Sequence, residues 1–221
     1  MSNQWNSTDH DLELFERDLS NFVPDKIFDS HVHIYKLDYF DQDDIPAALL
    51  NGPKEVDAKV YLNYINELIP NRQITCLGFP FPRLGLQMAK ANDFVAEEVK
   101  KIPGSLGQMM VAPTDDPELI RSTVKSKGLA GLKCYHLYSP MTPTMNSPIE
   151  AFLPETQVKI AHDERLTITL HIVKERSLAD PENQRTIRRY AEKYPDMRLI
   201  LAHGARGFNP HHTAEGIASL A

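Results

Sequence analysis

Short apolar, β-branched runs alternate along this chain with longer stretches that are apolar on one side only. The short runs are Lys26–Ser30, Ile74–Phe79, Leu106–Ala112, Leu129–Tyr135, Leu166–Val173 and Leu199–His203, and each reads as a strand. Between them lie the helix candidates Lys54–Ile69, Gln87–Lys101, Pro117–Lys127, Ile149–Glu164 and Pro181–Lys193, with Thr213–Leu220 after the last strand. Asp116-Pro117 and Asp180-Pro181 place a capping carboxylate and a first-turn proline where two of these helices should start. Gly104 and Gly128 stand where two helices should stop. Strands that are apolar throughout suit a sheet covered on both faces, so βα units in series predict a parallel α/β fold.

Two segments break the rhythm. Residues 34–53 carry Asp38, Asp41, Asp43 and Asp44, and residues 136–148 carry Pro140, Pro143 and Pro148. Both follow strands, so both read as long βα loops, where parallel barrels keep their chemistry. An amphipathic stretch, Leu12–Leu19, precedes the first strand within a helical extension over residues 1–25. The 221 residues fit a single domain.

Composition narrows the function classes. Charged residues make up 24% of the chain and the formal net charge is -6, with Lys and Arg scattered among acids, which argues against a nucleic-acid binder. No run approaches the ~20 apolar residues of a membrane span, and residues 1–10 lack a signal-like apolar core, so a cytoplasmic protein is expected. The two cysteines, Cys76 and Cys134, sit in apolar runs and read as buried thiols. A small-molecule substrate is expected, with homo-oligomerisation left open.

The chemistry concentrates at strand ends. In Asp29-Ser-His31-Val-His33 the two histidines share one face of a strand at a Cα separation of about 6.6 Å, close enough for both rings to reach one metal ion. Asp29 lies one step back and could orient a ligand histidine. His171 and His203 end two further strands, and Lys133 sits among apolar neighbours in a fourth. Ordinary core or surface histidines explain such an array poorly. Arg83, Lys174 and Arg206 are further cations for an anionic substrate, although surface roles fit them as well. His211 and His212 read as exposed loop residues, His10 and His162 as surface, and His136 and Tyr138 as loop residues near substrate.

Ile27-Phe-Asp-Ser-His-Val-His33, Gly131-Leu-Lys133, Leu170-His171 and Leu201-Ala-His-Gly204 together resemble the amidohydrolase superfamily, in particular its amidohydrolase-2 branch of metal-dependent hydrolases and decarboxylases. The resemblance implies a (β/α) TIM-type barrel, with about six of eight βα units present and the barrel incomplete at its C-terminal side. It implies His31, His33 and His171 as metal ligands. His203 would be a ligand or a proton-transferring group, and Lys133 a catalytic cation, a carbamate bridging two metals or a structural residue. The expected metal is Zn²⁺, with Mn²⁺, Fe²⁺ or Co²⁺ as alternatives. The expected reaction is attack of activated water on a C–O or C–N bond of a small carboxylated or cyclic substrate. The alternatives are decarboxylation or hydration of an unsaturated acid, and a non-catalytic barrel serving as an interaction module. The aspartate that the resemblance places at the end of an eighth strand has no counterpart here.

Overall fold

The computed structural model describes residues 7–220, which form two compact units that divide after Gly107. Residues 1–6 of the expected N-terminal extension lie outside the described residues.

The first unit opens with α1 (Asp9–Leu14). Its start is a reciprocal cap: Thr8 Oγ1 accepts the Asp11 N–H while the Asp11 carboxylate accepts the Thr8 N–H. A single π-helical turn, Phe15–Leu19, continues it and buries Phe15. Strand β1 (Lys26–His33) follows and runs three residues beyond the expected end, taking His31 and His33 into the strand itself.

The expected loop over residues 34–53 is partly ordered. It contains β2 (Tyr35–Lys36) and the short α2 (Ala47–Leu50), and β2 pairs antiparallel with β3 (Glu55–Val56). Helix α3 (Ala58–Leu68) starts four residues later than expected, because the Asp57 side chain caps it through the Val60 N–H at 2.7 Å. Strand β4 (Gln73–Phe79), α4 (Met88–Glu98) and the start of β5 (Leu106–Val111) complete the unit. Its core joins Ile34, Tyr35, Phe40, Ile74, Phe94, Val95 and Val99. Gly78 is required where β4 passes this core, since a Cβ there would lie 2.8 Å from Ile34 and 2.9 Å from Val99 side-chain atoms.

In the second unit β5 continues from Gln108, followed by α5 (Pro117–Lys127), β6 (Gly131–Tyr135), α6 (Glu155–Asp163), β7 (Thr167–His171), α7 (Pro181–Lys193) and β8 (Arg198–Leu201). Asp116 and Asp180 each cap a helix through two backbone N–H groups, and Gly128 ends α5 at φ +68. Helix α6 begins at Glu155, six residues after the expected start. Pro154 lacks the N–H an interior helical position requires and stands as the N-cap. Gly131 lets β6 and β7 approach: a Cβ there would lie 2.2 Å from Thr167 Oγ1.

All neighbouring strands in the order β1-β4-β5-β6-β7-β8 pair in parallel, so the chain is a mixed α/β protein built on a six-stranded parallel sheet. The last strand stops at Leu201, two residues before its expected end. In α8 (Ala202–Arg206) the backbone then turns left-handed, with φ near +58 at His203, Gly204, Ala205 and Arg206. Helix α9 (Pro210–Leu220) closes the described chain and takes in His211 and His212, which therefore belong to a helical first turn instead of the expected loop. Among the described residues no helix is long and apolar enough to cross a membrane.

Candidate active site

The expected site residues fall into two groups, one in each unit. In the first unit, β1 and β4 pair residue for residue from Lys26 to Asp29, then shift register before Val32. This bulge inserts one extra residue beside His31, a feature that re-aims side chains near a strand end. The rings of His31 and His33 come together at 5.2 Å between centroids, with planes at 75°. Both pack edge-on against Phe79, and His33 also meets Phe81 at 5.0 Å.

Two hydrogen bonds organise this group. His33 Nδ1 lies 3.0 Å from the Pro80 carbonyl oxygen, which can only accept, so the Nδ1–H donates to it and fixes the ring's orientation. Asp29 Oδ1 accepts the backbone N–H of His31 at 3.1 Å, and its Oδ2 accepts the Tyr61 hydroxyl at 3.3 Å. Asp29 thus holds His31 through its backbone. Burial, followed by the Asp29 charge, pushes the Tyr61 phenol far up, and burial pushes Tyr35 up to about 12. Both hydroxyls stay protonated donors at neutral pH. A cavity of about 290 Å³ opens beside them, lined by Asp29, His31, His33, Tyr35, Tyr61 and Phe81 among others.

In the second unit β6 supplies Lys133, wholly buried, and β7 ends on His171, 7% exposed. The His171 ring lies 5.0 Å from that of His203, 4.5 Å from Tyr135 and 5.6 Å from His136. Burial lowers the Lys133 ammonium to about 8. Burial, then the neighbouring Lys133, His203, His136 and Arg206, lowers His171 to about 3. Burial, then Arg206, lowers His136 to about 4, and His203 falls through burial, Lys133 and Arg206. At neutral pH this group therefore holds neutral imidazoles around a buried ammonium that loses its proton only as pH passes about 8. Among the described residues the Nδ1 of His171 is buried with no hydrogen-bond partner.

Tyr135 was not picked out from sequence, and His136 only as a loop residue near substrate. Their position directly after Lys133-Cys134 was the available signal. The left-handed turn at His203 was also missed, although Gly204-Ala-Arg-Gly207 hinted at an unusual backbone. An αL residue other than glycine costs roughly 1–2 kcal/mol, and His203, Ala205 and Arg206 all adopt it. Such strain persists where surrounding structure enforces it, and it is concentrated at functional sites.

The other candidate cations separate cleanly. Arg83 pairs with the Asp44 carboxylate. Lys174 pairs with Glu182 and lies 3.6 Å from Asp180. Arg206 instead stacks over Phe208 at 5.5 Å and forms no ion pair with any described residue.

For a metal ion each unit offers two imidazoles: His31 with His33, and His171 with His203. A His33 ring oriented by its Nδ1–H donation and the unpartnered His171 Nδ1 suit metal ligation. Among the described residues, however, no three His, Cys, Asp or Glu side chains form a group that could hold a metal ion. The chemistry open to the side chains alone is proton transfer and charge binding. Comparison with known protein families, curated proteins and solved structures returns no match, so the amidohydrolase resemblance rests on the quoted motifs.

Proposed function

We propose that the chain is a hydrolase of the amidohydrolase type, acting with a divalent metal on a small carboxylated or cyclic substrate. In this reading the parallel sheet is part of a (β/α) barrel. The observation that carries the proposal is the second-unit cluster, in which the buried Lys133 acts electrostatically on His171, at the C-terminal end of β7, and on His203, two residues past the end of β8. That end of a parallel sheet is where enzymes of this architecture place catalytic groups.

The residues themselves suggest a division of labour. Lys133, an amine lowered to about 8, can hold a proton or release it close to neutral pH. His203 is more accessible than His171 and can pass a proton to solvent or substrate. The phenols of Tyr61, donating to Asp29 Oδ2, and Tyr35, donating to the Pro53 carbonyl, line the cavity beside the first-unit histidines. A divalent metal, Zn²⁺ first, would contribute Lewis acidity and an acidified water, with either histidine pair supplying two ligands. Decarboxylation of an unsaturated acid would draw on the same groups.

A second reading, a non-catalytic interaction module, is favoured by the lack of a three-ligand group among the described residues. Turnover separates the two. Zn²⁺- or Mn²⁺-loaded protein assayed against a panel of lactones, N-acyl compounds and unsaturated carboxylic acids should hydrolyse at least one, and Lys133→Met and His203→Ala should each reduce kcat by ~10² or more. No turnover on the panel above the rate without protein, with metal supplied, would support the interaction module.

A further inference from the structure

Beside the left-handed turn the second unit holds a cavity of about 280 Å³, lined by Met145, Asn146, Glu175, Arg206, Phe208 and Asn209 among others. It is small for a ligand site, and most of its lining residues are polar, with Lys174 and Ser177 beside those just named. Met145 and Phe208 provide the walls. The guanidinium of Arg206 provides a charge that no described carboxylate neutralises. Three strained residues lie in the turn that presents Arg206, and the same turn presents His203, whose ring lies 5.0 Å from His171.

We propose that this cavity binds the carboxylate of a small monoanionic ligand, with Arg206 as its anchor and the wall of Met145 and Phe208 covering the ligand's apolar part. The proposal rests on the hydrolase reading only for what happens to the bound molecule.

Charge selects the class. Lys174 also lines the cavity, but its ammonium is held by Glu182 and Asp180. Glu175 adds a negative charge at the rim. Only Arg206 is left to receive an anion, and a neighbouring carboxylate penalises a second negative charge. A guanidinium binds a planar carboxylate through two parallel hydrogen bonds, which suits one monoanion better than a phosphate dianion. The side-chain amides of Asn146 and Asn209 can donate further bonds to an oxyanion.

The test uses the full chain, stripped of metal with a chelator, and follows benzoate by ligand-observed NMR. Inorganic phosphate is titrated separately. Wild type should bind benzoate saturably, and Arg206→Met should weaken binding by about tenfold or more, as expected for loss of a paired guanidinium. Arg188→Met, at an exposed position of α7 outside the cavity lining, should leave it unchanged. Asn209→Asp is the second variant. Asn209 Oδ1 accepts the N–H groups of His211 and His212. Aspartate keeps that cap and places a repelling charge on the cavity wall, so it too should weaken benzoate binding. Equal affinities in wild type, Arg206→Met and Asn209→Asp would overturn the proposal, as would no saturation up to about 50 mM. Arg206-dependent binding of phosphate in place of benzoate would overturn the assignment to monocarboxylates. Because the protein is metal-free, these results do not depend on whether it hydrolyses anything.

Discussion

Lys133 carries an ammonium group at a position with no solvent exposure, and replacing it by methionine measures what that burial costs. Methionine keeps most of the unbranched stem and removes the charge. A fall from the ordinary 10.5 to about 8, caused by burial, corresponds to about 3 kcal/mol at 1.36 kcal/mol per tenfold. The folded-state value lies below the unfolded one, so the unfolded chain binds more protons between the two. The destabilisation is then present in full below pH 8 and is relieved as pH rises towards 10.5. In metal-free protein, urea unfolding at pH 7 should find Lys133→Met more stable than wild type, by up to about 3 kcal/mol less any loss in packing. The gain should shrink steadily between pH 8 and pH 10.5. A variant that is less stable at pH 7, or a gain that does not change with pH, would refute the burial argument.

Other predictions follow from the backbone and the caps. Gly204→Ala should cost about 1–2 kcal/mol in urea unfolding although a Cβ there would touch nothing within 4 Å, because the loss is purely that of a residue at φ +58; an unchanged midpoint would remove the strain from the turn. Gly131→Ala should prevent native folding, seen as loss of the cooperative transition, since its Cβ would lie 2.2 Å from Thr167 Oγ1 and 2.3 Å from the Thr167 carbonyl oxygen. Asp116→Ala should lower stability by about 1 kcal/mol by freeing the Glu118 and Leu119 N–H groups, and Asp116→Asn should recover most of it.

The parallel α/β class and the helix starts at Pro117 and Pro181 were legible because each is written locally, as an apolar run or as an Asp-Pro pair. The pairing of His31 with His33 was legible for the same reason, since residues two apart on a strand face the same side, and their rings do meet at 5.2 Å. The bulge beside His31 was not, because it is a matter of register between β1 and β4 and leaves no mark in either strand alone. The two-residue strands Tyr35–Lys36 and Glu55–Val56 are too short to show a period. The left-handed turn depends on packing that holds three residues other than glycine against their own preference, which no local pattern announces. His136 was read from sequence as a loop residue, and only the fold shows it buried beside His171.

The central claim is that these histidines serve a metal-dependent hydrolase, and metal content tests it most directly. Purified protein should be stripped, reconstituted with Zn²⁺, desalted and analysed by elemental mass spectrometry. Wild type should retain about one equivalent. His31→Ala/His33→Ala and His171→Ala/His203→Ala should each be compared with it, and the pair that holds the ion should lose it while the fold, followed by circular dichroism, persists. Wild-type protein that retains no Zn²⁺, Mn²⁺, Fe²⁺ or Co²⁺ after reconstitution would contradict the claim, as would retention unaffected in both double variants.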